Sequence, residues 1–201
     1  DYSEGCHPKI LEALSQYNLD QQNGYGLDIY SENAANIIRE KSKSPESKVH
    51  LVSGGTQANL IVISSILRPH ESVVSANTGH IFTNETGAIE ATGHKVHGVE
   101  TKDGKLRPED IQNVLDVHTN VPHQVKQKLV YISNSTEVGT IYTKKELENL
   151  SEFCKKKNLY LFMDGARLGH ALTAKSNDVT WEDVAKLTDV YYLGGTKNGA
   201  L

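Results

Sequence analysis

An open α/β fold, with a mostly parallel sheet flanked by helices, is what these 201 residues predict. Two observations carry that expectation. From His50 onward, short apolar runs of strand length alternate with helix-length runs, the pattern of βα units on a parallel sheet. Several of the strand-like runs also end abruptly in polar or glycine-rich residues, as in Leu159-Tyr-Leu-Phe-Met-Asp164 and Tyr191-Tyr-Leu-Gly-Gly-Thr-Lys197. In open α/β sheets ligands bind beyond the carboxyl ends of the strands.

The chain in order begins with Asp1 to Cys6, expected as extended or loop. Pro8 then sits in the first turn of a helix reaching Tyr17, with Ile10, Leu11 and Leu14 on one face. Asn23-Gly-Tyr-Gly26 reads as a flexible loop, and Ser31 to Glu40 as a second helix with Ala34, Ile37 and Ile38 inward. His50 to Ser53 is a short strand by its apolar centre, followed by Gly54-Gly-Thr-Gln-Ala-Asn59 and an apolar helix from Leu60 to Leu67. Strands are expected at Ser72 to Ala76, His94 to Val99, Leu129 to Ser133 and Leu159 to Met163. Helices are expected at Asn84 to Thr92, Pro108 to Val117, Lys144 to Lys157 and Trp181 to Leu187, before a final strand. The segment His118 to Lys128 reads as an exposed excursion with His118 and His123 facing solvent.

Composition narrows the classes of function. A net charge of −4 gives no electrostatic footprint for nucleic acid or an anionic membrane. No apolar run reaches the length of a membrane span. Two cysteines, Cys6 and Cys154, lie far apart without metal-ligand spacing, and the histidines form no ligand pattern, so no metal is expected and a reduced, cytoplasmic setting is. The chain starts at Asp1 and ends soon after Lys197, which reads as a piece of a longer protein.

Five strand ends carry candidate chemistry. Ser53-Gly-Gly-Thr-Gln-Ala-Asn59 offers backbone amides and the Thr56 hydroxyl at a helix start, an anion cradle. His80 follows the strand Ser72 to Ala76 and can stack on a flat ring, with Glu85 near enough to reach it. Asn134-Ser-Thr-Glu137 follows the strand Leu129 to Ser133, where Asn134 either meets a ligand or holds a turn. Asp164 and Arg167 follow a fourth, and Lys197 a fifth. A lysine for a Schiff base, an acid facing a pyridinium nitrogen and an arginine for a substrate carboxylate make up the inventory that pyridoxal phosphate requires. The plainer alternatives are that Asp164 caps the helix beginning near Arg167 and that Lys197 is a solvated loop lysine.

On those residues the chain resembles the low-specificity threonine aldolases, in the β-eliminating lyase group of fold-type I pyridoxal-phosphate enzymes. The matching elements are Tyr25-Gly-x-Asp28, Ser53 to Asn59, His80 with Glu85-x-Gly87, Asp164-Gly-Ala-Arg167-Leu168 and Gly195-Thr-Lys197-Asn-Gly, spread from end to end. The resemblance implies an aspartate aminotransferase-like large domain, with residues 1–201 as N-terminal segment plus large domain and a smaller C-terminal domain absent. It implies pyridoxal 5'-phosphate joined to Lys197, paired with Asp164, stacked by His80 and held through its phosphate by Gly55 and Thr56. Arg167 and Ser3 would hold the substrate carboxylate, with Glu85 also on the substrate side. It further implies a homodimer or homotetramer that cleaves threonine or allo-threonine to glycine and an aldehyde. One departure stands out: many threonine aldolases have a histidine where this chain has Thr136, which leaves the contact to the substrate hydroxyl unassigned. The alternatives are a β-eliminating amino-acid lyase giving keto acid and ammonia, and a non-catalytic remnant that binds cofactor.

Overall fold

The computed structural model describes residues 5–200. Its centre is a five-stranded, all-parallel sheet in the order β2-β1-β3-β4-β5. The strands are β1 (Glu71–Ala76), β2 (Lys95–Val99), β3 (Lys126–Ser133), β4 (Tyr160–Asp164) and β5 (Val190–Tyr191). The helices are α1 (Pro8–Tyr17), α2 (Ile29–Lys41), α3 (Gly55–Ile66), α4 (His80–Thr83), α5 (Pro108–Val117), α6 (Lys144–Lys157), α7 (Leu168–Thr173) and α8 (Trp181–Leu187). From β1 the chain runs outward to β2, and from β3 it runs the other way through β4 to β5. The strand order therefore reverses between β1 and β3, which in such sheets opens a crevice at the carboxyl ends.

Strand alternation sorts the core into two layers. Val74, Val130, Ile132, Leu161 and Met163 pack with Ile111, Leu147, Leu150 and Val184 of α5, α6 and α8. Val73, Leu129, Tyr131 and Phe162 face the other way, against Ile63 of α3 and Ile81 of α4. Asp164, two residues beyond Phe162, belongs to this second face and is buried. The sheet register sets Ser133 opposite Asp164, so β3 and β4 finish level.

Local chemistry explains the helices that match expectation. In α6 and α8 capping boxes close the first turn, Thr143 with Glu146 and Thr180 with Asp183. Helix α6 ends on Lys155, Lys156 and Lys157 with Asn158 in the left-handed conformation.

Four expectations are corrected. His50 to Ser53 is not a strand: among the described residues it pairs with no neighbour, and Leu51 and Val52 are exposed. Asn84 to Thr92 is not one helix, because Thr86 (φ 51°) and Gly87 (φ 76°) are left-handed and leave only a 3-10 turn at Glu90–Thr92. Helix α2 buries Ala35 and leaves Ile37 exposed, against the inward face expected of it. His118 is half-buried, its ring edge-on to His97 at 4.5 Å between centroids.

Candidate active site

Asp164 lies buried at the head of the crevice. Its Oδ1 accepts from the backbone N–H of Ala166 at 2.9 Å, and its Oδ2 accepts from the Tyr131 hydroxyl and, at 3.5 Å, from Asn59 Nδ2. Helix α7 starts after Arg167 with no side-chain cap, so Asp164 is not that helix's cap. The Tyr131 phenol, wholly buried beside this carboxylate, is held well above its ordinary pKa by burial first and by the Asp164 charge second. It therefore remains a donor.

Asn59 on α3 joins this acid to a second group. Its Nδ2 also donates to Glu85 Oε1 at 2.6 Å, and the same oxygen lies 2.8 Å from His80 Nδ1. The Glu85 hydrogen bond raises the His80 pKa above its ordinary value, against the opposing effect of burial. Glu85 is buried, with its side chain fully enclosed. Its carboxylate is turned onto His80 and Asn59.

Helix α3 begins at Gly55 after the extended Gly54, and no side chain caps its first turn. Ser53 instead folds back, its N–H and hydroxyl donating to Gln57 Oε1 at 2.8 and 2.9 Å. A Cβ on Gly55 would lie 2.6 Å from the Tyr192 hydroxyl, so the residue is closely covered on that side. Thr56, next in the turn, is exposed.

The loops after β4 and β5 touch backbone to backbone. Gly194 N–H donates to the Gly165 carbonyl at 3.0 Å. A Cβ on Gly165 would meet the Tyr192 carbonyl oxygen at 2.0 Å, and one on Gly194 would meet Ala166 Cα at 2.8 Å. Only glycine at both positions lets the Asp164 loop and the Lys197 loop approach this closely. Lys197 lies in a 3-10 turn, Thr196–Asn198, half-buried, and Arg167 is half-buried at the start of α7. Asn198 Nδ2 ties this turn back to the Gly194 carbonyl at 2.7 Å, and the His7 N–H donates to the Gly199 carbonyl at 2.9 Å.

Asp164, Glu85 and His80 thus share one hydrogen-bonded chain through Asn59, and the Lys197 loop is joined to the Asp164 loop through glycines. Ser3 lies outside the described residues. Asn134 is buried, accepts from Tyr142 N–H at 3.2 Å and holds a turn. Thr136 is buried against Thr140, hydroxyl to hydroxyl at 2.7 Å. The motifs give Tyr131 no place, and Asn59 closes the Ser53 to Asn59 element without a role of its own. Their only sequence signal was position, one lying inside a strand two residues before its end and the other one turn into a helix.

The chain matches the Beta-eliminating lyase family over residues 5–201. It is 31% identical to the low specificity L-threonine aldolase of Pseudomonas aeruginosa and 33% identical to that of a Pseudomonas species, each over 204 residues, 99% of this chain and 58% of the relative. Among solved structures it is similar to the Leishmania major threonine aldolase, with 53% identity, a TM-score of 0.97 and coverage of 99% of this chain and 58% of that one. The Thermus thermophilus aspartate aminotransferase shares the fold, with a TM-score of 0.62 at 18% identity over 82% of this chain and 43% of that one. The chain therefore spans little more than half the length of the relatives it matches. A match that runs through the crevice residues from α3 to Lys197 settles the family: this chain belongs to the beta-eliminating lyases.

Proposed function

We propose that the chain is the cofactor-binding part of a pyridoxal-phosphate-dependent aldolase that cleaves threonine or allo-threonine to glycine and acetaldehyde. The observation that carries this reading is Asp164, a buried carboxylate braced by Tyr131, Asn59 and the Ala166 N–H, on a loop bonded directly to the one that carries Lys197. A carboxylate so enclosed fits a cationic ring nitrogen, and the first turn of α3 at Gly55 and Thr56, with no side-chain cap, fits a phosphate. These residues therefore suit pyridoxal 5'-phosphate. When bound, that group withdraws the electron pair left at the substrate Cα.

The chain's own residues would do the rest. Asp164 would hold the ring nitrogen protonated, Gly55 and Thr56 would hold the phosphate, and Lys197 would supply the amine that anchors the cofactor. Arg167 binds the substrate carboxylate. His80, held at Nδ1 by Glu85, would cover the ring and carry a proton to or from the β-hydroxyl through water. The working enzyme is a homodimer or homotetramer in this reading, supported by Leu11 and Leu14 on α1, which the described residues leave about half exposed. The unpaired Cys6 and Cys154 accord with a cytoplasmic location.

The deciding experiment incubates the full-length protein and pyridoxal phosphate with threonine, allo-threonine and β-chloroalanine. Acetaldehyde and glycine from a threonine isomer, with slow pyruvate from β-chloroalanine, is the expected result. Fast pyruvate and ammonia without acetaldehyde would replace the aldolase reading with β-elimination. No product from any of them would leave a non-catalytic cofactor binder.

A further inference from the structure

Helix α4 begins at His80 behind Gly79, a residue with no side chain to cap the turn, and α4 has no side-chain cap from its own neighbourhood. The acceptor comes from another strand. Glu137, four residues past the end of β3, places Oε1 at 3.0 Å from the His80 backbone N–H and 2.7 Å from the Ser133 hydroxyl. Ser133 is the last residue of β3 and lies opposite Asp164 in the sheet. The other side of the same turn is fixed by packing, since a Cβ on Gly79 would sit 2.2 Å from Ser75 Oγ and 3.0 Å from the Ala76 carbonyl oxygen.

We propose that Glu137 is a positioning residue, clamping the β1–α4 turn to the carboxyl end of β3 and thereby fixing where the His80 imidazole stands across the β1–β3 crevice. The clamp deepens the reading above and rests on it for its catalytic consequence, because His80 matters to the reaction only if it faces the cofactor. Glu137 acts in two ways. As an acceptor it holds the His80 main chain, and as an anion it joins Glu85 and Asp164, the other carboxylates whose charge favours the protonated ring. Among the described residues Glu85 alone bonds the ring, so loss of Glu137 frees the main chain while leaving that partner in place.

The test uses the full-length protein, wild type against Glu137→Ala and Glu137→Gln. Each is read by the NMR titration of the His80 imidazole without cofactor, by the visible absorption and circular dichroism of the holoenzyme, and by kcat and KM on threonine. Glutamine keeps an acceptor oxygen but no charge. The expected result for Glu137→Ala is a kcat lower by about tenfold or more, since sub-ångström misplacement of a reacting group costs that order. Its KM changes little, its cofactor dichroism is altered, and its His80 midpoint falls. Glu137→Gln should recover most of kcat and the dichroism while its His80 midpoint stays low. An alanine variant with wild-type kcat and an unmoved His80 titration overturns the proposal, as does a glutamine variant as impaired as alanine. Should the alanine variant fail to fold, Glu137→Asp, whose shorter side chain withdraws the acceptor from the His80 N–H, takes its place, and wild-type kcat and dichroism in it overturn the proposal. If the wild type cleaves no β-hydroxy amino acid, the aldolase reading fails, yet the titration still reports whether Glu137 governs His80.

Discussion

The Tyr131 hydroxyl donates its hydrogen bond to Oδ2 of Asp164, across the boundary between β3 and β4 and wholly out of solvent. Two neighbouring strands thereby fix one carboxylate from the side, while the Ala166 N–H fixes it from its own loop. Tyr131→Phe removes one donor from a buried carboxylate, which costs about 1–3 kcal/mol. The cofactor-free protein should lose that much stability in denaturant titration. A midpoint equal to wild type would mean that Asn59 and the backbone suffice.

Asp164→Asn tests the acid itself. Losing a buried charged partner costs roughly 3–5 kcal/mol, and part of that falls on the reaction barrier. At about 1.36 kcal/mol per factor of ten, the expected fall in kcat at saturating cofactor is on the order of a hundredfold or more. Activity within a fewfold of wild type would leave Asp164 a structural residue that only orders its loop.

Borohydride reduction of the full-length holoenzyme should attach the cofactor to Lys197 and to no other lysine, with peptide mapping as the readout. The Lys197 turn is tied at both sides, by Asn198 to Gly194 and by Gly199 to His7, which fixes the backbone from which the amine extends. Lys197→Ala should trap nothing. Label on a different lysine would overturn the assignment.

Gly165 and Gly194 make a separate prediction about stability. In Gly165→Ala the new methyl would have to displace a backbone carbonyl, that of Tyr192, rather than a movable side chain. Overpacking of this kind costs about 1–3 kcal/mol or more, and the displaced strand end carries the Lys197 loop with it. Both the unfolding midpoint and cofactor retention should fall. Gly24→Ala, with nothing within 4 Å of the new atom, serves as the control and should change neither. An unchanged midpoint in Gly165→Ala would mean that the β4 and β5 ends part freely.

Much of this arrangement is legible in the sequence because it is local. The strand ends at Ala76, Ser133 and Asp164 are announced by apolar runs breaking into polar ones, and the limits of α5, α6 and α8 by Pro108, Thr143 with Glu146, and Thr180 with Asp183. What sequence reading misses depends on partners distant in the chain. The run at His50 to Ser53 has strand composition, but a strand exists only with a neighbour to bond. The apolar positions of α2 predict an inward Ile37 without saying that this chain would leave it exposed. Glu85 is within reach of His80 by spacing, as expected, yet its fully enclosed side chain and its bond to Asn59, 26 residues away, follow only from the packing of α3 on the sheet. His118 needed the third dimension to become a neighbour of His97.

That histidine pair yields a pH prediction. His97 Nε2 lies 3.1 Å from the Ser72 hydroxyl and 3.2 Å from Gln127 Nε2, and both of these neighbours can donate to it. Burial first, then the nearby His118 and Lys95, lower its pKa from the ordinary 6.5 to about 4. The sign follows directly. A histidine held neutral in the fold takes up a proton more readily when unfolded, so its contribution to stability is whole above about pH 6.5 and is lost as pH falls toward 4. The loss approaches about 3 kcal/mol at 1.36 kcal/mol per tenfold change in proton affinity. Between pH 7 and 4.5 the wild type should therefore lose more stability than His97→Gln, which has no proton to gain. Parallel profiles for the two proteins would remove His97 from the acid response.

The remaining prediction concerns the choice between threonine isomers. Retro-aldol cleavage needs a base for the β-hydroxyl proton, and the two configurations point that hydroxyl in different directions. A side chain fixed beside one position would favour one isomer. In the loop after β3, Asn134 is buried in a turn, Thr136 is bonded to Thr140, and Glu137 is turned onto the His80 N–H and the Ser133 hydroxyl. The group to which the proposed reaction gives this task is His80, half-buried and held by Glu85, which would act on the hydroxyl through water. A relay through water tolerates either configuration better than a fixed base does. Threonine and allo-threonine should both be cleaved, with kcat/KM values closer to each other than to that of β-chloroalanine. His80→Phe, which keeps a ring but removes the proton carrier, should depress both isomers by a similar factor, about 10²–10⁴-fold for a general base. Strict selection of one isomer by the wild type, or loss of one isomer alone in the variant, would demand a fixed base and sink the water relay.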